Sequence, residues 1–262
     1  MDNPYRLSVE EWALALSLAG AGQQSEALLR TYLGELSDDM ARERMHAAGH
    51  SLIARGLLDI DPEGAAPLDP DFMSCVKAMA AADYSLRFGR SNEAVDMFLT
   101  YHFKDGKLYE QALEYGVVIE LTTIQDMKDV IQGGMDFYDV EKHAGFKAGP
   151  VQLPYAQLED LTGVTDLDQL DAALKSAGVG EKERVLLKED LAAARSRGSV
   201  LLVTYPGNTF PQSDHGFLTL EGPERMWLVS LEEVDGEMTA TLKPGSRKTF
   251  EAEVSALLTV MA

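Results

Sequence analysis

Residues 97–124 decide the fold, and they read MFLTYHFKDGKLYEQALEYGVVIELTTI. β-branched and aromatic residues are frequent here, and their spacing has the period of two that strands require. Together with the segment before it, this stretch predicts four strands, over residues 84–88, 97–103, 108–113 and 117–124. Asp105-Gly106 lies between the second and third strands and is a strong signal for a tight hairpin turn. We therefore predict an antiparallel sheet, followed by a short helix over residues 125–132.

The segment before this sheet is predicted to be helical. Ser8, with Glu11 three residues later, forms a capping box that marks the start of a first helix. Stripes of apolar residues at helical spacing predict further helices, over residues 27–36, 40–55 and 69–82. These helices are followed by the sequence ARGLL at residues 54–58 and then by an acidic turn. This order of elements is typical of winged-helix folds, so we expect a winged-helix-like N-terminal segment.

The second half of the chain repeats the order of the first. Helices are predicted over residues 166–176 and 181–194, then strands over residues 200–205, 216–220, 226–231 and 238–242, and a last helix that begins after Ser246. The triplet FLT at residues 98–100 returns at 217–219, and the turns keep the same offset from it. We predict an α+β fold of two similar halves with pseudo-two-fold symmetry, each combining helices with a mainly antiparallel sheet of about four strands. Two unrelated α+β halves are the alternative.

Residues 133–154 are rich in glycine and contain Pro150 and Pro154, so they predict a connection. We place the N-terminal half at residues 1–135, the connection at 136–155 and the C-terminal half at 156–262. One compact domain overall is the alternative.

Aromatic residues next to glycine and proline are candidate partner-binding residues, because exposed aromatics often anchor interfaces. Phe137, Tyr138 and Phe146 lie in the glycine-rich stretch, and Phe210 lies in the loop PGNTFP at residues 206–211. The alternative is that these side chains pack back onto the core.

The charge balance excludes whole classes of partner. Aspartate and glutamate total 43 against 23 lysines and arginines, a formal net charge of −20. Such a field repels phosphate backbones and anionic lipids, so we expect neither nucleic-acid nor membrane binding. The single cysteine, Cys75, is consistent with a reducing compartment and is predicted to be buried. Since we find neither a signal peptide nor an apolar run of about 20 residues, we expect a cytoplasmic location.

Residue patterns that carry catalysis are weak or missing. The sequence has no phosphate-binding loop and no G-x-S-x-G elbow. His46 and His50 share one helix face but lack the glutamate of a metalloprotease motif. Ser213, Asp214 and His215 are contiguous, and a triad needs side chains that converge from different elements. His143 has no evident carboxylate partner. We therefore predict no catalytic residue, no metal and no cofactor, and expect that the protein is not an enzyme.

Several short motifs resemble the EspG family of type VII (ESX) secretion-associated proteins. They are LSVEEW at residues 7–12, SLIARGLL at 51–58, PLDPD at 67–71, LP at 153–154 and RGS at 197–199. The likeness spans nearly the whole chain. It implies a cytosolic chaperone with a quasi-two-fold α+β fold, which binds the tip of a helical PE–PPE substrate pair and keeps it soluble.

These observations predict a non-catalytic chaperone or adaptor that masks an apolar surface of a helical protein partner, which would be a secreted substrate if the resemblance extends to function. A winged-helix transcriptional regulator is one alternative, although Arg42, Arg44 and Arg55 are nearly balanced by acids along the candidate recognition helix. A metal-dependent hydrolase that uses His46 and His50 is another. The sequence does not determine the oligomeric state.

Overall fold

A computed structural model describes residues 5–92, 95–143, 145–205 and 212–260, without the side chain of Asp214. Its first run of elements is β1 (Tyr5–Ser8), α1 (Val9–Leu18), α2 (Gly22–Leu33), α3 (Asp38–Ala54), α4 (Pro70–Ala80), β2 (Tyr84–Ser91), β3 (Asp96–Lys104), β4 (Lys107–Glu114), β5 (Val118–Ile124) and α5 (Met127–Phe137).

The second run begins after a 3₁₀ turn at Val140–Lys142. It comprises β6 (Val151–Pro154), α6 (Tyr155–Leu161), α7 (Leu167–Ser176), α8 (Glu181–Ala192), β7 (Ser196–Thr204), β8 (Gln212–Glu221), β9 (Met226–Val234), β10 (Glu237–Pro244) and α9 (Arg247–Thr259).

The order of elements confirms the predicted α+β class. Both runs pass from a short strand through helices to four longer strands and a closing helix. The sequence did not reveal the short strands β1 and β6, which pair antiparallel with β5 and β10 respectively. Tight turns stand where they were predicted, because Asp105 and Asp235 adopt positive φ ahead of Gly106 and Gly236.

The chain divides into two compact units whose segments alternate along the sequence. The first unit takes its described residues from 1–85, 99–125 and 204–211, and the second from 86–98, 126–203 and 212–262. Residues 136–155, predicted to connect two halves, fall within the second unit and include the 3₁₀ turn and β6.

The first unit has strand order β1-β5-β4-β3 and a core beneath helices α1 to α4. Helix α1 begins as predicted: Ser8 Oγ accepts from the Glu11 amide, and the Glu11 carboxylate accepts from the Ser8 amide. Trp12, Phe72 and Leu121 are among the buried residues of this core. Cys75 belongs to the same core, and its burial raises the pKa of the thiol to about 12. The thiol therefore stays protonated at neutral pH.

The second unit has strand order β2-β7-β8-β9-β10-β6. Its core lies between the sheet and helices α6, α7 and α8, with Trp227 fully buried at the centre. Asp190 on α8 is also fully buried, and it accepts from Trp227 Nε1 (2.8 Å) and Arg225 Nε (2.9 Å). These bonds tie α8 to β9 and the residue before it.

Candidate functional site

A concave hollow of about 380 Å³ lies within the second unit. Its lining residues come from β2, β3, α6, β7, β8 and β9 or their ends: Gly89, Arg90, Ser91, Asp96, Phe98, Tyr155, Leu158, Glu159, Thr162, Arg197, Gly198, Ser199, Leu218, Thr219, Leu220 and Val229. We call this set the hollow. Its volume falls in the range of about 300–1,000 Å³ that ligand sites in proteins occupy.

Apolar side chains form much of the wall of the hollow. Phe98 is 37% exposed, so a large part of its ring is available to a bound molecule. Gly89 makes room for this ring, because a Cβ added there would lie 3.3 Å from Phe98 Cε1. Leu158 and Leu220 are buried behind the surface and support it. Such a face can bury an apolar group without leaving a polar group unpaired.

The rim of the hollow carries charge on α6 and β7. The pKa of the Tyr155 hydroxyl is raised, chiefly by its hydrogen bond to the Glu159 carboxylate and then by burial. The positive charge of Arg197, which also lines the hollow, acts in the opposite direction on the same pKa. Within the described residues Arg197 makes no ion pair closer than 4.0 Å and no side-chain hydrogen bond. The rim can therefore accept polar or charged neighbours of an apolar group.

An ion pair between Arg90, which lines the hollow, and the buried carboxylate of Glu221 stabilises the wall of the hollow. Arg90 Nη2 donates to Glu221 Oε2 at 2.5 Å, and the Glu221 side chain is 1% exposed. Arg90 also donates from Nε to Ser196 Oγ (3.1 Å) and from Nη1 to the Phe137 carbonyl (3.2 Å). One arginine thus joins β2, α5, β7 and β8, which holds the hollow's walls in place.

Two further side chains lie next to this ion pair. Asp139 Oδ2 lies 3.7 Å from Arg90 Nη1, and the pKa of Asp139 is lowered mainly by its hydrogen bond to Lys142, with Arg90 contributing. His143 Nε2 lies 3.7 Å from Glu221 Oε2, with the imidazole only 8% exposed. The sequence offered no carboxylate for His143, since Glu221 is far away along the chain.

Tyr138 joins two strands beside the hollow. Its hydroxyl lies 2.8 Å from the Gly89 carbonyl oxygen and 2.9 Å from that of Ser199, so its proton is shared between β2 and β7. Burial raises the pKa of this hydroxyl well above its usual value, which keeps the donor in place at any physiological pH.

Three of the residues predicted to contact a partner, Phe137, Tyr138 and Phe146, are not part of the lining of the hollow. Tyr138 is fully buried, and Phe137 is half-buried with its ring 5.1 Å from that of Tyr138. Phe146 is half-buried against Trp227, with ring centroids 4.7 Å apart. Phe210 lies outside the described residues. The structure thus packs Tyr138 into the core, and the binding role of these four residues stays a prediction.

The histidines considered as metal ligands do not form a cluster in the described residues, and the arginines considered for DNA binding each contact an acidic side chain. His46, His50 and His215 are exposed, and the described residues contain no group of three or more metal-ligating side chains. Arg42, Arg44 and Arg55 each contact an acid, with distances of 3.6 Å to Asp39, 2.7 Å to Glu10 and 3.0 Å to Glu11. Among the helices of the described chain, none is long and apolar enough to cross a bilayer.

The fold and the hollow together define a class: an α+β protein with an apolar concave face whose wall is stabilised by an ion pair with a buried carboxylate. The chain belongs to the family described as "Uncharacterised protein YfjC", which matches residues 5–247. No curated protein matches the sequence.

A solved structure with a similar fold is that of the Mycobacterium tuberculosis type VII secretion system chaperone EspG5, in complex with the PE25–PPE41 dimer. The TM-score is 0.71, the identity is 11%, and the alignment covers 98% of this chain and 96% of that chain. The resemblance to EspG proteins noted in the sequence is thereby confirmed at the level of the fold.

Proposed function

We propose that this protein is a non-catalytic, chaperone-like binder that covers an apolar surface of a helical protein partner, and that the hollow of the second unit is where the partner binds. The observation that carries the proposal is the hollow itself, an open, largely apolar surface with the ring of Phe98 at its wall. The fold likeness to a chaperone over nearly the full chain supports the same function.

The mechanism is masking. An apolar group of the partner would leave water by packing against Phe98 and Leu218, and each buried CH₂ contributes about 0.8 kcal/mol. Arg197 and Glu159 at the rim would pair with polar groups that flank the apolar one. A partner whose exposed apolar surface is covered in this way cannot self-associate through it.

The proposed location is the cytoplasm, where a chaperone would meet a newly made partner. The single cysteine, buried and protonated, is compatible with that reducing compartment. A partner destined for secretion is the specific form of the proposal, and it rests on the likeness to the EspG fold.

Photo-crosslinking from the hollow tests this function. A photoreactive phenylalanine analogue replaces Phe98 in one variant and Tyr115, which is 84% exposed in the first unit, in a control variant. We expect irradiation in the native host to give one dominant protein adduct from position 98 that is missing from position 115. If position 98 gives no protein adduct, or the same adducts as position 115, the hollow is not the binding site.

A further inference from the structure

The arginines of this chain differ in whether they have an acidic partner. Within the part of the chain that the structure describes, every arginine but three forms an ion pair with a carboxylate at 4.0 Å or less. The three are Arg87 on β2, Arg195 directly before β7 and Arg197 on β7, and all are exposed. Since the chain has 43 acidic residues, a carboxylate is seldom far from an arginine. Unpaired arginines confined to two neighbouring strands are therefore a distinctive feature.

The two arginines of β7 lie on the side of the strand that faces the hollow. Arg197 lines the hollow. The Arg195 amide donates to the Glu221 carbonyl at 2.8 Å, so the backbone is already paired with β8 at this position. Side chains two positions apart on a strand point to the same face, and Ser196 between them, which is buried, points to the other. The Cα atoms of the two arginines are thus about 6–7 Å apart along one face.

The exposed ring of Phe98 lies next to these arginines. A Cβ added to Gly89 would be 3.3 Å from Phe98 Cε1 and 3.3 Å from Ser199 Oγ, so the ring reaches from β3 across β2 towards β7. Ser199 is two positions from Arg197 on the same face of β7. Arg87 is likewise two positions from Gly89 on the same face of β2. The hollow therefore offers an apolar contact and cationic contacts within one binding surface.

Two carboxylates also line the hollow, and they restrict where an acidic group of a partner can bind. Glu159 is engaged by its hydrogen bond with the Tyr155 hydroxyl. Asp96 begins β3, and β2 lies between β3 and β7. Because adjacent strands are about 4.8 Å apart, Asp96 is separated from the β7 arginines by a width of about 10 Å. A carboxylate of a partner is thus attracted to the β7 side of the hollow and repelled from the β3 side.

We propose, resting on the function proposed above, that the part of the partner that enters the hollow is an amphipathic helix with acidic residues beside its apolar stripe. Carboxylates at positions i and i+4 are about 6 Å apart along a helix, which matches the spacing of Arg195 and Arg197 on the strand. Each guanidinium can hold a carboxylate with two parallel hydrogen bonds, while the apolar stripe packs on Phe98. The net charge of −20 repels acidic proteins in general, so only a helix with its acids opposite these arginines gains affinity.

Labelled synthetic alanine-based helices with a leucine stripe are the probes. The acidic helix carries two glutamates one turn apart beside the stripe, and the neutral helix carries glutamines at those positions. In the third helix the two glutamates lie on the face opposite the stripe. The protein variants are R195Q/R197Q and a matched control of the same net charge, R30Q/R42Q, whose arginines are exposed on α2 and α3. Binding is followed by fluorescence anisotropy, and folding by circular dichroism.

We expect the wild type to bind the acidic helix at least about tenfold more tightly than either of the other two helices. Because the net charge of the protein acts against this order, such a preference comes from cations at the binding site. R195Q/R197Q should lose the preference, and R30Q/R42Q should keep it within about twofold. F98D should weaken the binding of all three helices, since the apolar contact is common to them.

Equal affinity of the wild type for the acidic and neutral helices would overturn this inference, and so would a preference retained by R195Q/R197Q. In both cases the function proposed for the hollow stands if F98D still abolishes binding. Failure of all three helices to bind the wild type would also overturn the inference, whereas the proposed function is decided separately by the protein adduct from position 98.

Discussion

Replacing Arg90 by methionine is expected to lower the free energy of unfolding of the second unit by about 3–5 kcal/mol, because a buried carboxylate is left without its counter-charge. Glu221 is 1% exposed and bonded to Arg90 at 2.5 Å, so water cannot replace the guanidinium without local opening. Ser196 and the Phe137 carbonyl would lose their donor at the same time. Urea unfolding in a W12F background, which leaves Trp227 as the remaining tryptophan, measures the loss by fluorescence.

Two further variants distinguish the effect of an unpaired Glu221 carboxylate from the effect of lost packing around Arg90. The R90M/E221M double variant should regain most of the lost stability, since apolar replacement of both partners of a buried pair is often neutral. R247M breaks a pair of similar length, 2.6 Å to Glu141, but both side chains are about 60% exposed. Its effect should stay below about 1 kcal/mol. An R90M protein as stable as R247M would contradict the role given to Arg90.

Gly198→Ala is expected to lower the free energy of unfolding by about 3 kcal/mol, because the added methyl group has no space. Its Cβ would lie 2.5 Å from the Gly89 carbonyl oxygen and 2.7 Å from the Tyr138 ring. The backbone oxygen cannot move without breaking its bond to the Tyr138 hydroxyl, at 2.8 Å. Thermal and urea unfolding measure the change.

Gly22→Ala is the matched control for this substitution. Gly22 lies in helix α2, with open space where a Cβ would be and no positive φ. Its replacement should leave stability within about 1 kcal/mol of the wild type, or raise it. If Gly198→Ala changes the free energy of unfolding as little as Gly22→Ala does, the close approach of β2 and β7 beside the hollow does not require glycine at position 198.

Much of the fold was predictable because its signals are local. The capping box of Ser8 and Glu11 and the turn residues Asp105 and Asp235 act over a few positions, and the structure places each as expected. The strands β1 and β6 were missed, because four residues are too short to establish a period. They form by pairing with β5 and β10, whose partner residues lie about 85 or more positions further along the chain.

The hollow was not predictable, because its residues come from separate segments that only the fold brings together. Arg90 and Glu221 are 131 positions apart, and 43 acidic residues offered too many pairings to choose from. The repeated triplet FLT did not show which of its two phenylalanines would be exposed. Phe98 and Phe217 are equivalent in the repeat, yet Phe217 is 4% exposed and Phe98 is 37% exposed.

The central claim is that the hollow binds an apolar surface of a partner protein and prevents its aggregation. The most direct test uses the partner identified by crosslinking and asks whether the hollow keeps that partner soluble. Light scattering of that purified partner would be followed with wild-type protein, with F98D, and with Y115D as the matched exposed control. We expect the wild type and Y115D to suppress aggregation, and F98D to fail because a carboxylate replaces the ring at the apolar wall. Suppression by F98D equal to that by the wild type, with the same affinity, would contradict the assignment of the hollow as a protein-binding site.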